Sequence, residues 1–235
     1  MTHAVFSPSA AKRWIACPGS FAANLGVEST SSKYADDGTL AHDLAAQYIE
    51  GTARHIKANT NAPRTGNTRA DTGPPAHDLR QQLRAIKSKI TVQQVKDLAP
   101  SPEHAAAILT YAEFAKGLIA KADWFGVEAK VRWNDELFGT ADLLAVTGDV
   151  MDVGDLKTGA GVYVDHVENA QMLTYAFLAL STIPRDIALK VKTVNAHVIQ
   201  PLFPGAQPIR TWSCDIKVVL EWGQALQRAM AAAKE

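Results

Sequence analysis

The apolar residues change from a helical spacing to a strand-like spacing and back, which predicts a mixed fold. Helical spacing predicts helices over residues 7–19, 35–50, 103–122, 167–181 and 216–233. Alternating or continuous apolar runs predict strands over residues 127–133, 138–146, 150–157, 191–200 and 209–213. The central order of helix, three strands, helix and strand is typical of an α/β or α+β core, with a central sheet flanked by helices.

Local signals predict where several of these segments end. Ser7 or Ser9 is expected to cap the first helix, and the Pro18-Gly19 pair to end it. The Thr-Gly-Asp stretch at 147–149 is a tight-turn signal, so the middle of the chain predicts a hairpin. The closing helix is expected to turn its apolar residues inward, namely Ile216, Val219, Leu220, Leu226 and Met230.

A length of 235 residues suits a single domain with one sizeable core. Residues 127–200 are expected to form its core sheet and residues 215–235 its closing helix. Residues 51–100 are interpreted as an insertion made of a loop and a helix. Within it, residues 58–77 are rich in Asn, Thr, Gly and Pro and predict a mobile loop, whereas the apolar spacing from Leu79 to Ile90 predicts a helix.

The net charge is zero, but the charges are unevenly distributed. Residues 51–96 carry nine basic and two acidic residues, a net charge of +7 that the rest of the chain balances. Arg80, Arg84 and Lys87 form one stripe of the predicted helix. This stripe is either a solvated helix face or a surface that follows phosphates. Such a surface would attract DNA even though the net charge of the chain is zero.

Composition argues against several classes of protein. No run of about 18 apolar residues occurs, and the first residues lack the apolar centre of a secretory signal, so we expect a cytoplasmic protein without a membrane partner. Cys17 and Cys214 are the only cysteines, too few for a four-thiolate zinc or iron–sulfur site, and both are expected to be reduced.

The stretch GTADLLAVTGDVMDVGDLKTG, residues 139–159, keeps many charges in a hairpin that is otherwise apolar. Because alternate side chains of a strand share a face, Asp155 and Lys157 point the same way and Asp152 the other. Asp142, on the preceding strand, can lie opposite Asp155. Two carboxylates that close repel each other, and a divalent cation would remove that conflict.

A cation at this position would suit phosphodiester hydrolysis. Magnesium prefers oxygen ligands and takes only one or two carboxylates, which leaves room for water and a substrate phosphate. The Lys157 ammonium could orient the attacking water or neutralise charge in the transition state. The same pattern also fits a solvated sheet face with an Asp–Lys pair. Asp149 is interpreted as a turn residue, Asp152 as an exposed strand residue, and His197 as structural.

Four short motifs, in this order and spacing, resemble the PD-(D/E)XK nuclease superfamily, specifically its RecB-like branch. SPSAAKRWIACPGS resembles the Ser-rich, Cys-Pro opening of RecB-like nuclease domains, and AHDL is similar to the branch's N-terminal histidine motif. GTAD and VGDLKTG resemble the superfamily core, and QMLTY resembles its Gln-x-x-x-Tyr motif. The resemblance runs from residue 7 to about residue 180.

The resemblance implies a restriction-endonuclease-like core and a set of roles for its residues. His42, Asp142 and Asp155 would be metal ligands, together with the backbone carbonyl of Leu156. Lys157 would be the catalytic lysine, acting with the two aspartates.

Three further residues would support this site or touch DNA. Gln171 and Tyr175 share one face of a helix after the catalytic lysine. Glu128 is the third, since it lies on the first core strand, where some members of the superfamily carry an acid.

The sequence departs from the family pattern in three places. Asp155 takes the position where Glu is commoner, and Gly154 replaces a bulky apolar residue, which is expected to loosen the strand. Cys17 could match the first of four cysteines that hold an iron–sulfur cluster in several relatives, but the later three are absent. No iron–sulfur cluster is therefore expected.

The resemblance implies a Mg²⁺- or Mn²⁺-dependent deoxyribonuclease, with an exonuclease of phage recombination or DNA processing as the first hypothesis. Its expected partners are linear DNA ends, single- or double-stranded, and a recombination or annealing protein. One alternative is a catalytically silent DNA-binding or recombination-accessory module on the same fold. A more remote one is a phage structural or host-takeover protein that binds another protein through its closing helix.

Overall fold

Five strands form one mixed sheet at the centre of the computed structural model, which describes residues 4–20, 23, 33–53 and 90–234. The strands lie side by side in chain order: β1 (Trp124–Arg132), β2 (Phe138–Thr147), β3 (Val150–Leu156), β4 (Thr193–Ile199) and β5 (Ile209–Asp215). Neighbouring strands are antiparallel except β3 and β4, which are parallel. This arrangement confirms the predicted mixed sheet flanked by helices and is consistent with a restriction-endonuclease-like core.

The helices of the described residues pack on this sheet or on one another. They are α1 (Ala11–Ala16), α2 (Lys33–Ala53), α3 (Val92–Leu98), α4 (Pro102–Ile119), α5 (Ala170–Thr182), α6 (Arg185–Ala188) and α7 (Ile216–Ala232). The parallel pair β3 and β4 needs a crossover, and α5 and α6 supply it. Among the described residues, no helix is both long enough and apolar enough to cross a membrane.

Two apolar clusters lie on opposite faces of the sheet. On one face, α1, α5 and α7 pack against strand residues such as Val153 and Val198. On the other, α2 and α4 pack against residues such as Leu143 and Leu156. Because successive strand residues alternate between these faces, the apolar strands β2 and β3 are buried on both sides.

Side-chain caps begin several helices where the sequence supplies a small polar residue. Ser101 caps α4, Asn169 caps α5 and Asp215 caps α7, each accepting a hydrogen bond from a backbone N–H of the first turn. A full capping box between Thr91 and Gln94 begins α3, a helix that periodicity alone did not predict.

Two local expectations were wrong. Ser7 precedes a single 3₁₀ turn (Pro8–Ala10), but its side chain makes no capping hydrogen bond, and Ser7 instead accepts one from the Trp14 indole through its carbonyl. Leu220 is exposed rather than turned inward. At Gly154 a Cβ would lie only 3.2 Å from the Leu143 side chain, so glycine permits a close strand contact, and the expected loosening of β3 stays a prediction.

The insertion predicted for residues 51–100 lies largely outside the described residues. This applies to the loop at 58–77 and to Arg80, Arg84 and Lys87, whose role in DNA binding stays a prediction. Ile90, at the end of the predicted apolar spacing, is buried in extended chain just before α3.

Candidate metal centre

His42 and Asp142 meet where helix α2 passes the sheet. Leu40, Ala41 and Leu44 bury one side of α2, which leaves His42 on the flank of the helix. Its Nδ1 atom lies 3.3 Å from Oδ2 of Asp142, a β2 carboxylate that is almost fully buried. The same oxygen accepts a hydrogen bond of 2.7 Å from the backbone N–H of Leu156, which fixes its position.

Glu128 completes this group from strand β1, between Val127 and Ala129, which pair with Leu143 and Ala141 on either side of Asp142. Its Oε1 lies 3.6 Å from Nδ1 of His42. One ligand atom each from His42, Glu128 and Asp142 lies within 4.8 Å of the other two. Glu128 has a φ of +48°, the left-handed region that side-chain-bearing residues avoid, so the strand accepts local strain at the residue that faces the site.

Asp155, on β3, forms a second group beside the first. Lys157 Nζ lies 2.8 Å from its Oδ2, and Gln171 Nε2 donates to its Oδ1 at 2.9 Å. Gln171 Oε1 accepts from Lys157 Nζ at 3.1 Å, so one α5 amide contacts both charged groups. Oδ2 of Asp155 is buried, and the Lys157 ammonium is its partner among the described residues.

Burial and neighbouring charges shift the pKa values of the first group. Burial by itself lowers the pKa of His42, but the adjacent carboxylates, Asp142 first, raise it well above its usual value. Burial raises the pKa of Asp142, yet His42, the Leu156 N–H and Lys157 together leave it below the ordinary value. Burial raises the pKa of Glu128, and His42 offsets only part of that effect. His42 is therefore held as a cation against a carboxylate.

Burial and neighbouring charges also shift the pKa values of the second group. Burial, with the Asp142 charge added, raises the pKa of Asp155 in spite of Lys157. Burial lowers the pKa of Lys157, but Asp155 and Asp142 more than offset this and raise it. Lys157 is therefore an ammonium group at neutral pH. It cannot serve as a base, but it can stabilise negative charge.

Tyr175 lies one helical turn after Gln171 and is buried against the site. Burial raises the pKa of its hydroxyl, and the Asp155 and Asp142 charges raise it further. Gly139 on β2 allows this packing, since a Cβ there would lie 3.2 Å from the Tyr175 ring and 2.9 Å from Pro8. The structure thus places Tyr175 as a support beneath the acidic residues.

The donor set of this site fits a divalent cation. One imidazole nitrogen and two carboxylates converge in the first group, and such mixed nitrogen and oxygen ligands suit Mn²⁺ as well as Mg²⁺. Oδ2 of Asp155, a buried carboxylate oxygen in contact with the Lys157 ammonium, is a further acceptor nearby. A cation would also relieve the repulsion between Asp142 and Asp155 that the raised pKa of Asp155 records.

The structure brings together the predicted residues of the sheet and its helices, but in a different grouping. Asp155 was expected to share the ligand set with His42 and Asp142; it contacts Lys157 and Gln171, and its role as a metal ligand stays a prediction. Glu128, expected in a supporting role, joins His42 and Asp142 in the compact group. Leu156 reaches the site through its N–H, and its carbonyl as a ligand stays a prediction.

Asp152 was wrongly expected to be an exposed strand residue. It is buried on the opposite face of β3 from Asp155, where Oδ1 contacts His197 Nε2 at 2.8 Å and accepts from Asn195 at 2.9 Å. His197 Nδ1 contacts the hydroxyl of Thr211 at 2.8 Å. This network satisfies buried polar groups between β3, β4 and β5, in keeping with the structural role expected of His197.

Fold and site together define a mixed α+β protein with a histidine–carboxylate centre next to an Asp–Lys–Gln group. A family model described as a protein of unknown function, DUF2800, matches residues 3–235. The chain therefore belongs to this family.

Proposed function

We propose that the chain is a divalent-cation-dependent nuclease that hydrolyses phosphodiester bonds of DNA. The observation that carries this proposal is the adjacency of two groups, a His42–Glu128–Asp142 centre and an Asp155–Lys157 pair that Gln171 holds in place. The sequence resemblance to RecB-like nucleases supports the same reaction. It also favours an exonuclease of phage recombination or DNA processing, which acts on linear ends.

His42, Glu128 and Asp142 would hold Mg²⁺ or Mn²⁺, with Asp155 beside them. When bound, the cation would polarise the phosphate and acidify water. The protein's own contribution is to keep the ligands in place before the substrate arrives. The Leu156 N–H fixes Asp142, and the strained backbone at Glu128 aims its carboxylate towards His42.

Lys157 is the residue proposed to stabilise the transition state. Its ammonium can neutralise the charge that grows on phosphate oxygens as the bond to the leaving group breaks. The Asp155 carboxylate keeps this amine protonated, and Gln171 fixes its direction through a hydrogen bond of 3.1 Å. Asp155 and Gln171 therefore act on the reaction partly by positioning Lys157.

A nuclease assay on end-labelled linear DNA and on closed circular DNA, each with and without Mg²⁺ or Mn²⁺, tests the proposal. Degradation of the linear substrate only, and only with metal, is the expected result. Lys157→Met and Asp142→Asn should each abolish it while the circular dichroism spectrum and melting temperature show a folded protein. Asp149→Asn, in the exposed β2–β3 turn, is the matched control and should remain active.

Two other results would assign a different function. Metal-independent DNA binding without hydrolysis would favour the catalytically silent accessory module. Hydrolysis that survives in both Lys157→Met and Asp142→Asn would show that the reaction takes place elsewhere on the protein.

A further inference from the structure

The loop of residues 158–168 is tied at both ends to the candidate metal centre. It leaves β3 directly after Lys157, whose N–H donates to the carbonyl of Ile199 at 2.8 Å. It ends at Asn169, the cap of α5, and Gln171 of the same helix contacts both Asp155 and Lys157. Both ends of the loop are therefore fixed beside the residues proposed for hydrolysis.

A buried glutamine fixes the middle of this loop. Gln200, at the end of β4, donates through Nε2 to the carbonyls of Gly159 and Val162, at 2.9 Å and 2.7 Å. Its Oε1 accepts from the N–H of Val164 at 3.1 Å. These bonds satisfy loop backbone groups from within the protein and hold the middle of the loop against the end of β4.

A buried arginine holds the aromatic side chain of the loop. Arg210, 8% exposed, donates through Nη2 to Val164 O at 3.0 Å and to Gln200 Oε1 at 2.9 Å. Its guanidinium carbon lies 4.6 Å from the centre of the Tyr163 ring. Phe203 packs edge-on against the same ring at 5.4 Å. Tyr163 is thus braced from two sides.

The braced loop nevertheless turns apolar side chains to solvent. Val162 is 76% exposed and Tyr163 is 43% exposed. Single exposed apolar residues are ordinary, but here two neighbours sit on a loop whose shape depends on two buried polar side chains. The loop also carries Asp165 and Glu168 and no lysine or arginine, so it is poorly suited to phosphate groups.

We propose that Val162 and Tyr163 form a stacking platform for an unpaired base of the substrate strand. This inference rests on the proposed nuclease function and specifies its substrate. The apolar faces of a DNA strand are its bases, and in a duplex each face is covered by the next base pair. Only a single strand or a frayed end offers a free base face to an aromatic ring, and such stacking tolerates any sequence. The substrate class is therefore single-stranded DNA or an unpaired end.

Binding of a short single strand that carries the fluorescent base 2-aminopurine tests the platform. The measurement uses the Lys157→Met background with Mg²⁺, which under the proposed mechanism binds without hydrolysis. Tyr163→Ser should weaken binding about tenfold and remove the change in 2-aminopurine emission, because one base–aromatic stack is lost. Tyr163→Phe should keep both, and a closed circular duplex should bind equally well to all variants.

Two exposed apolar residues elsewhere provide matched controls. Trp133 is also 43% exposed and packs on Phe177 at 5.0 Å, so Trp133→Ser removes a comparable aromatic surface. Leu189 is 76% exposed, as Val162 is, so Leu189→Ser is the matched control for Val162→Ser. Neither control should alter binding of the single strand, whereas Val162→Ser should weaken it.

The outcomes separate this inference from the proposed function. If the native chain degrades DNA and Tyr163→Ser binds like Trp133→Ser, the platform is refuted and the nuclease assignment stands. If the native chain neither binds the single strand nor degrades DNA, both fall. Loss of single-strand binding in Tyr163→Ser, with Tyr163→Phe and Trp133→Ser unchanged, supports the platform, whereas the nuclease assignment depends on degradation of DNA by the native chain.

Discussion

The Nδ1 atom of His42 lies 3.3 Å from the Oδ2 atom of Asp142, and this contact joins helix α2 to strand β2. The two groups form an ion pair, because the carboxylates around His42 raise its pKa. Under the proposed function, a metal ion would have to displace the proton that this pair shares. Metal binding would therefore be coupled to the release of a proton.

The first prediction concerns the ligands. Asp142→Asn keeps the size of the side chain and an oxygen that can accept from the Leu156 N–H, but it removes the charge. Mn²⁺ affinity, measured by titration calorimetry, should fall at least roughly 10- to 100-fold. That is the loss typical when a residue that only supports a metal ligand is mutated. Asp149→Asn should leave it unchanged. Unchanged affinity in Asp142→Asn would remove Asp142 from the ligand set.

The hairpin and its charges could be predicted from the sequence because their signals are local. Strand alternation placed Asp155 and Lys157 on one face and Asp152 on the other, as the structure has them. Alternation could not show that Asp152 is buried, since its partner His197 lies on β4, 45 residues later in the chain. Glu128 was placed at this site only by the family resemblance, and its left-handed φ within a strand has no signal in the local sequence.

The 158–168 loop shows another limit of sequence reasoning. Its conformation depends on Gln200, directly after β4, and on Arg210, within β5, and both residues contact the loop only in the folded protein. Nothing in the composition of the loop reveals these bonds. A short loop with exposed Val162 and Tyr163 reads in sequence as an ordinary connection between a strand and a helix.

The second prediction concerns protons released on metal binding. At about pH 7 His42 is protonated, because its pKa is raised above the ordinary value of about 6.5, and a metal ligand must be neutral. Mn²⁺ binding should therefore release about one proton at that pH, and less as the pH rises through the pKa of His42. Calorimetry in buffers of different ionisation enthalpy measures this release.

A His42→Gln variant is the control for this release. It should bind Mn²⁺ more weakly and release no proton at about pH 7. Binding without proton release in the native protein would show that the ion is held by the carboxylates alone.

The third prediction concerns Lys157 and pH. The folded protein raises the pKa of Asp155, so protonation of this carboxyl stabilises the fold. This stabilisation is complete below the pKa of an unfolded aspartate, about 3.9. It is lost as the pH rises through the pKa of Asp155 in the folded protein. Lys157→Met removes the ammonium group that stabilises the ionised Asp155 carboxylate at higher pH. The variant should be less stable by roughly 2–3 kcal/mol at neutral pH, and closer to the native protein at about pH 4.

Urea unfolding at the two pH values measures this difference. The expected loss is below that of a fully enclosed pair because 28% of the Lys157 side chain is exposed. Lys192→Met is the control, since Lys192 pairs with the exposed Asp149 at 3.5 Å and should contribute less than about 1 kcal/mol at either pH. An equal loss for Lys157→Met at both pH values would contradict the coupling with Asp155.

The fourth prediction concerns two helical glycines with opposite surroundings. Gly223 of α7 faces the ring of Phe177 on α5, and a Cβ there would overlap that ring, so glycine sets how closely the two helices approach. Gly117 of α4 has no heavy atom within 4 Å of a Cβ built on it. Gly223→Ala should destabilise the protein by about 1–3 kcal/mol through overpacking. Gly117→Ala should stabilise it by up to about 1 kcal/mol, because alanine is the better helix former.

Thermal and urea unfolding of the two variants measures both effects in the same helical context. Phe177 lies on α5, the helix that also carries Gln171, so a shift of α5 in Gly223→Ala would reach the Lys157 hydrogen bond as well. A double variant with Phe177→Leu should recover part of the loss, because the smaller side chain makes room for the added methyl group. If Gly223→Ala proves as stable as Gly117→Ala, the packing of α7 on α5 is looser than described, and α5 is not the rigid support that the position of Gln171 requires.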